Sequence, residues 1–258
     1  MSLSIVETYS TIQAEGTRIV PAILLRLSGC NFRCRGFGVQ MKSPKTGETL
    51  IGCDTIRATY TEHFNQNYKT YDNWLDLIDD LEAIMPKYSK HNFLKPDLVI
   101  TGGEPLLNWR NPILQNVINY FISRGHKVTI ETNGSVPIEF FRKYQNEIMF
   151  SISVKLAVSG EPKEKRFKPE NIANIIEHCP TSYLKFVTSE ASWDQDYAEM
   201  KEFLKAIPIW VPVILMPLGA TKEELDKNTR FVVERCIEYG FGYSDRIHIR
   251  AWNDKEGV

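Results

Sequence analysis

Leu98-Val99-Ile100-Thr101-Gly102-Gly103-Glu104-Pro105 is the stretch whose reading decides the fold. Its apolar, β-branched opening predicts a buried strand over Asp97–Thr101. The paired glycines that follow carry no Cβ, so a ligand can approach the backbone closely there. Taken alone, the pair is no more than a strand-ending turn. Its neighbours give it weight. Downstream, Leu114, Val117, Ile118 and Phe121 recur at the three- and four-residue steps of one helical face, which Gly125 stops. Lys127–Glu131 then reads as another strand. Further strands are predicted over Ala22–Leu27, Met149–Val154, Tyr183–Val187, Val211–Met216 and Arg246–Arg250. Helical faces are marked by Trp74, Ile78, Leu81 and Met85 (capped by Asp72, closed by Pro86), by Tyr197, Met200 and Leu204, and by Leu225, Val232, Cys236 and Ile237. Strand–helix alternation predicts an α/β fold with a parallel sheet and outer helices, most simply a barrel or partial barrel. No internal repeat or Gly/Ser/Pro-rich linker divides the chain, so one domain over residues 1–258 is expected.

Composition sets the outer bounds. The chain has 258 residues, and 31 Lys plus Arg against 32 Asp plus Glu leave a formal charge of −1. This excludes the strongly basic footprint of a duplex nucleic-acid binder. Hydrophobic content of 43% and charged content of 24% exclude the disordered class. Apolar stretches such as Trp210–Met216 fall far short of the ~20 residues of a membrane helix. Met1 to Gln13 has no basic region leading into an apolar core. A cytoplasmic protein with neither membrane nor nucleic-acid partner is expected.

Other strand ends repeat the pattern of the first. Glu131-Thr132-Asn133-Gly134-Ser135 and Ser153-Val154-Lys155 each place polar groups directly after a strand, and the carboxyl ends of barrel strands are where ligands bind. Polar groups collecting at successive strand ends describe one site better than several unrelated turns.

Five cysteines without an export signal argue against a disulfide framework. Cys179 and Cys236 lie alone in periodic segments and read as small buried hydrophobes. Gly29-Cys30-Asn31-Phe32-Arg33-Cys34 and Gly52-Cys53-Asp54-Thr55 carry the other three. Three thiolates fit a four-iron cluster with one iron open to an outside ligand. They also fit a zinc site completed by a histidine, His63 being nearest, or three unrelated thiols. Between them, Arg35–Gly52 shows neither helical nor strand period and reads as a long inserted loop.

Together, Cys30-x3-Cys34…Cys53, Thr101-Gly-Gly-Glu-Pro105 and Glu131-Thr-Asn-Gly134 resemble the radical S-adenosylmethionine superfamily. Tyr9-Ser-Thr-Ile-Gln-Ala-Glu-Gly16, Arg26-Leu-Ser-Gly-Cys30-Asn31, Cys53-Asp-Thr55, Met216-Pro-Leu-Gly219 and Arg246-Ile-His248 are similar to blocks of the 7-carboxy-7-deazaguanine synthase family. The resemblance implies a partial (β/α) barrel of the radical S-adenosylmethionine type, with a long loop inserted between the cluster cysteines. It implies a homodimer with one [4Fe-4S] cluster, S-adenosylmethionine and Mg²⁺, reduced by an external one-electron donor of flavodoxin or ferredoxin type. The implied reaction converts 6-carboxy-5,6,7,8-tetrahydropterin to 7-carboxy-7-deazaguanine with loss of ammonia, a step toward queuosine-type 7-deazapurines. A second radical chemistry, activation of a partner protein by a glycyl radical, and a non-catalytic cluster- or zinc-binding protein are the competing readings.

By position, the resemblance assigns Cys30, Cys34 and Cys53 to the cluster and Thr55 to Mg²⁺. Gly52, Cys53, Asp54, Gly103, Glu104, Glu131, Asn133, Ser153, Val154, Lys155, Met216, Pro217, Leu218 and Gly219 fall to S-adenosylmethionine. Ile12, Gln13, Ala14, Glu15, Arg26, Thr101 and the carboxylate of Val258 fall to the pterin. Arg26 suits a substrate carboxylate because its fork binds bidentately; the alternative is that it satisfies a buried carboxylate of the protein itself. Glu15 would accept from pterin N–H groups, or belong only to the turn before Gly16. Ala14 stands where the family commonly has Gly, and Leu218 where it commonly has a polar residue.

Overall fold

The computed structural model describes residues 1–13, 15–87, 94–253, 255 and 257. Expectations for Ala14 and Val258 lie outside the described residues. The chain opens with an antiparallel pair, β1 (Leu3–Ile12) and β2 (Pro21–Leu27), and a small hairpin, β3 (Val39–Lys42) and β4 (Thr49–Gly52). The short β5 (Lys69–Tyr71) returns to the edge of β1. The repeating unit then begins: β6 (Asp97–Gly102), β7 (Val128–Thr132), β8 (Met149–Ser153), β9 (Tyr183–Thr188), β10 (Val213–Pro217) and the two-residue β11 (Gly242–Tyr243). Together they form a nine-stranded sheet in the order β11-β10-β9-β8-β7-β6-β2-β1-β5, parallel from β2 to β11.

Helices Trp74–Ala83, Pro112–Ser123, Pro169–His178, Trp193–Ala206 and Lys222–Tyr239 connect the strands. One face of each strand packs on them: Ile23, Leu25, Leu98, Ile100, Val128, Ile130, Phe150, Ile152, Leu184 and Phe186 join Leu81, Leu114, Ile118, Phe121, Ile175 and Phe203 in one core. The opposite face has another character. Arg26, Thr101, Glu131, Ser151, Ser153, Tyr183 and Lys185 alternate with those core residues along their strands. A parallel sheet covered by helices on both faces is apolar on both, so a polar second face marks a lumen. β1 and β9 are five strand spacings apart, ~24 Å in a flat sheet. Yet Glu15, just beyond β1, meets Lys185 of β9 at 2.5 Å. The sheet therefore curls into the open barrel expected for this chain.

Four expectations are corrected. Arg246–Arg250 is not a strand: pairing with β10 stops at Tyr243, and Ile247–Trp252 is a helix. Its alternating apolar residues imitate strand period over a segment too short for that period to discriminate, and helical spacing lets both Arg246 and Arg250 reach acidic partners. Arg35–Gly52 is not a structureless loop, since β3 and β4 pair and Leu50 packs with Ile56, Tyr60 and Phe64 in a second small core. Asn73, rather than Asp72, caps the first long helix, accepting from Leu75 N at 3.1 Å. Ile237 is 78% exposed, because it sits one residue, ~100° of helix, off the buried stripe of Leu225, Val232 and Cys236. Cys179 and Cys236 are buried, as their setting predicts.

Candidate active site

The three clustered cysteines sit on the loop that leaves the carboxyl end of β2 and at the foot of the hairpin. Val39 pairs with Gly52, so the hairpin returns the chain to its start and brings Cys53 back toward Cys34 across the eighteen-residue insertion 35–52. Loop-closure entropy grows only slowly with length, and a paired, packed insertion is closed by its own contacts. Burial pushes the thiols of Cys30 and Cys34 up to about 12, and the neighbouring cysteine sulfurs add to that rise. No three His, Cys, Asp or Glu side chains among the described residues are close enough to share one metal ion. His63, the zinc reading's fourth ligand, instead bonds Ser43 at 2.9 Å and faces Glu48 and Glu62.

The glycine pair shapes the floor of this loop. Glu104 N donates to Gly29 O at 2.8 Å and Gly103 N to Leu27 O at 3.3 Å. A Cβ on Gly103 would stand 2.2 Å from Gly29 O and 2.7 Å from the Cβ of Cys30. Gly103→Ala is therefore expected to displace the cysteine loop, with ~1–3 kcal/mol of overpacking and reduced iron content after anaerobic reconstitution. Iron assay and thermal melting check this; wild-type values of both would refute it.

Several strand-end residues turn out to serve the scaffold. Glu104 is fully buried and accepts from Leu106 N, Thr132 Oγ1 and Asn133 N at 3.0, 2.7 and 2.7 Å. The Asn133 side chain donates to Asn31 at 3.0 Å and accepts from Ser135, which takes a bond from Asn31 in turn. These two side chains fasten the Cys30 loop to β6 and β7. Glu15 is held by the protein as well. Its oxygens are taken by Lys185 at 2.5 Å and Arg246 at 3.0 Å.

That ion pair anchors a chain of buried charge through the lumen. Burial opposes ionisation of Glu15, but Lys185 and Arg246 outweigh it and hold the carboxyl well below its usual range. Burial likewise opposes the ammonium of Lys185, and Glu15, with Glu131 behind it, more than reverses this. Arg246 continues the chain, donating to Gly219 O at 2.9 Å and Asp54 at 2.8 Å beside Cys53. Asp54, its side chain 50% exposed, ends this chain at solvent, and Arg246 holds its carboxyl below the ordinary value. Burial also pushes His248, beside these charges, below its ordinary value.

Arg26 lies next to Thr101 in register and is bound through Nε to Glu7 at 2.7 Å, which also receives Arg57 at 3.2 Å. Its protein-carboxylate alternative is thus realised at Nε. Gln13 is buried, donates to Glu15 O at 3.2 Å and leaves Oε1 without a partner. The buried hydroxyls of Thr129, Ser151 and Tyr183 lack partners of normal geometry as well. Lys155 donates to Ser153 at 3.0 Å, and Thr55 Oγ1 stands 3.1 Å from Cys53 Sγ. Ile12 is half-buried at the end of β1, while Val154, Met216, Pro217 and Gly219 are buried at or just past the strand ends, with Leu218 N held by Thr188 O at 2.8 Å.

Sequence reasoning missed Glu7 as the partner of Arg26, and Lys185 and Arg246 as the partners of Glu15. A lysine inside Tyr183-Leu-Lys-Phe-Val187 was the available signal: a charge at an alternate position of an apolar strand requires a buried counter-charge.

The 4Fe-4S single cluster domain family matches residues 12–176. The chain is 27% identical to 7-carboxy-7-deazaguanine synthase of Halobacterium salinarum, over 98% of its length and 91% of the relative's. It is 28% identical to the enzyme of that name from Pyrobaculum aerophilum, covering 98% and 96%. Among solved structures, that of QueE from Escherichia coli superposes with a TM-score of 0.62 at 19% identity, covering 95% of this chain and 94% of the other, a likeness of fold.

Proposed function

The chain belongs to the 4Fe-4S single cluster domain family and, within it, to the 7-carboxy-7-deazaguanine synthases, and on that premise we propose how its own residues serve the reaction. It is a carbon–nitrogen lyase of the radical S-adenosylmethionine type, converting 6-carboxy-5,6,7,8-tetrahydropterin to 7-carboxy-7-deazaguanine in 7-deazapurine biosynthesis. The observation that carries the residue-level reading is the polar lumen, lined at successive strand ends and lying beneath a loop that bears three thiols.

A [4Fe-4S] cluster on Cys30, Cys34 and Cys53 supplies, when bound, the electron that cleaves S-adenosylmethionine at the iron lacking a cysteine. The rim of strand ends at Gly52–Asp54, Gly103, Ser153–Lys155 and Met216–Gly219 receives that nucleotide. The pterin lies deeper, over Ile12, Gln13, Arg26 and Thr101. Arg26, oriented by Glu7 at its Nε, turns its remaining N–H groups to the substrate carboxylate. Glu131, half-buried on the lumen face, offers its carboxylate to S-adenosylmethionine, and Gln13 Oε1 offers an acceptor to pterin N–H groups. Glu15 acts from beneath, holding Lys185 and Arg246 in place. Thr55 would give its hydroxyl to a Mg²⁺ ion, a hard cation that takes few protein ligands. The active unit is a homodimer of single-domain chains reduced by a small one-electron carrier of flavodoxin or ferredoxin type.

Anaerobic incubation with reductant, S-adenosylmethionine and 6-carboxytetrahydropterin should yield the ultraviolet spectrum of a deazapurine. Formation of 5′-deoxyadenosine only when a partner protein is added would overturn the reading in favour of an activase. Arg26→Ala should raise the KM for the pterin ten- to a hundredfold, about 1.5–3 kcal/mol of charge-assisted hydrogen bonding, while substrate-free cleavage of S-adenosylmethionine persists. Unchanged pterin affinity with lost cleavage would remove Arg26 from the substrate site.

A further inference from the structure

Against the backbone of the cysteine loop lies a carboxylate that the proposed function does not use. Glu161 follows the turn Ala157–Ser159 after β8, and its Oε1 accepts from Arg33 N at 2.6 Å and from Cys34 N at 3.0 Å. Two successive amides pointing at one anion form a nest, a geometry made when one residue is left-handed. Cys34 is that residue, with φ 43°, a conformation costly for any side chain with a Cβ.

The contact is built into the packing on both sides. A Cβ on Gly36 would fall 1.9 Å from Val158 O, so the segment carrying Glu161 lies directly on the cysteine loop. Arg166, buried, donates to Glu161 O at 3.1 Å and Lys155 O at 3.2 Å. Glu199 holds the Arg166 fork with two bonds of 2.9 Å and accepts from Ala157 N at 2.8 Å. The carboxylate thus has a fixed position, and its field reaches the Cys34 sulfur.

An ordinary loop-to-loop hydrogen bond would need an acceptor and no charge. Here the acceptor is ionic, and it occupies two amides that would otherwise be free to donate toward sulfur. N–H donors near the sulfurs and net local charge are two of the levers that set an iron–sulfur potential. We propose that Glu161 is a positioning residue for the cluster: it holds the left-handed turn at Cys34 and keeps a fixed negative charge beside it that lowers the cluster's reduction potential. The inference rests on the cluster assigned above.

The test uses anaerobically reconstituted full-length chains and reads iron and sulfide content and the midpoint potential from an EPR-monitored reductive titration. Circular dichroism of the chains before reconstitution confirms their folding. Glu161→Gln keeps an acceptor and removes the charge: iron should stay at the wild-type level and the reduction equilibrium should shift about tenfold toward the reduced form, ~59 mV for one electron. Glu161→Ala should lose several-fold in retained iron while still folding. Glu202→Gln, which removes an exposed carboxylate paired only with Lys163, should change neither reading. Full iron in Glu161→Ala, an unshifted potential in Glu161→Gln, or an equal shift in Glu202→Gln would overturn the proposal. A wild-type chain that binds no four-iron cluster would instead sink the proposed function.

Discussion

Replacing any one of Cys30, Cys34 or Cys53 by alanine is expected to abolish cluster retention and product formation, whereas Cys179→Ala retains both. Each thiol of the first group sits where the chain has been bent to bring it: Cys30 beside the glycine floor, Cys34 in a left-handed turn, Cys53 at the foot of the hairpin. Burial raises the thiols of Cys30 and Cys34, so cluster assembly must release their protons, and affinity should rise with pH as that release becomes easier. Cys179 is fully buried and donates to Gln145 O at 3.3 Å within the helix-packed core. Its truncation costs a small cavity and no iron. Iron and sulfide analysis after anaerobic reconstitution separates the two groups; equal iron loss from Cys179→Ala would contradict the assignment.

The second large effect concerns the charges inside the barrel. Glu15→Gln leaves Lys185, whose side chain is 5% exposed, without the carboxylate 2.5 Å away. Removing one partner of a buried pair costs ~3–5 kcal/mol because the remaining charge is uncompensated. The double variant Glu15→Gln/Lys185→Met should recover part of this loss, giving a coupling well beyond the ~0.5 kcal/mol of independent sites. Denaturant unfolding measures both, and additive losses would dissolve the proposed coupling. The pH dependence has a definite sign. The folded carboxyl of Glu15 is depressed, so its contribution is complete above the unfolded value of about 4.3 and disappears as pH falls through the folded value. The ammonium of Lys185 is raised, so its contribution is complete below about 10.4 and disappears as pH climbs through its folded value. Between these limits the pair should give a pH-independent plateau, and its acid limb should shrink in Glu15→Gln.

Where the sequence misled, the cause was length or context. Arg246-Ile-His-Ile-Arg250 is too short for alternation to separate strand from helix, and its ion pairs lie far away along the chain. The hairpin at Val39–Gly52 was hidden because its four-residue strands are flanked by Gly, Ser and Pro, and only Leu50 packing on Ile56, Tyr60 and Phe64 reveals its order. Glu104 and Asn133 occupy the expected places, and only the folded chain shows that they also tie the Cys30 loop to its neighbours. Their motif specifies the backbone bend that supports the cysteines.

Chain order alone determined the alternation of strands and helices, the three thiols set apart from two buried ones, and the polar groups at successive strand ends. These follow from local period and spacing, which each short segment carries by itself. Tertiary structure decided which of those polar groups meet. Only the curl of the sheet brings Glu15 to Lys185 and Arg246, the return of the hairpin carries Cys53 toward Cys34, and packing after β8 places Glu161 on their amides. Such meetings depend on contacts between residues separated by 19 to 231 positions, for which no local pattern holds a record.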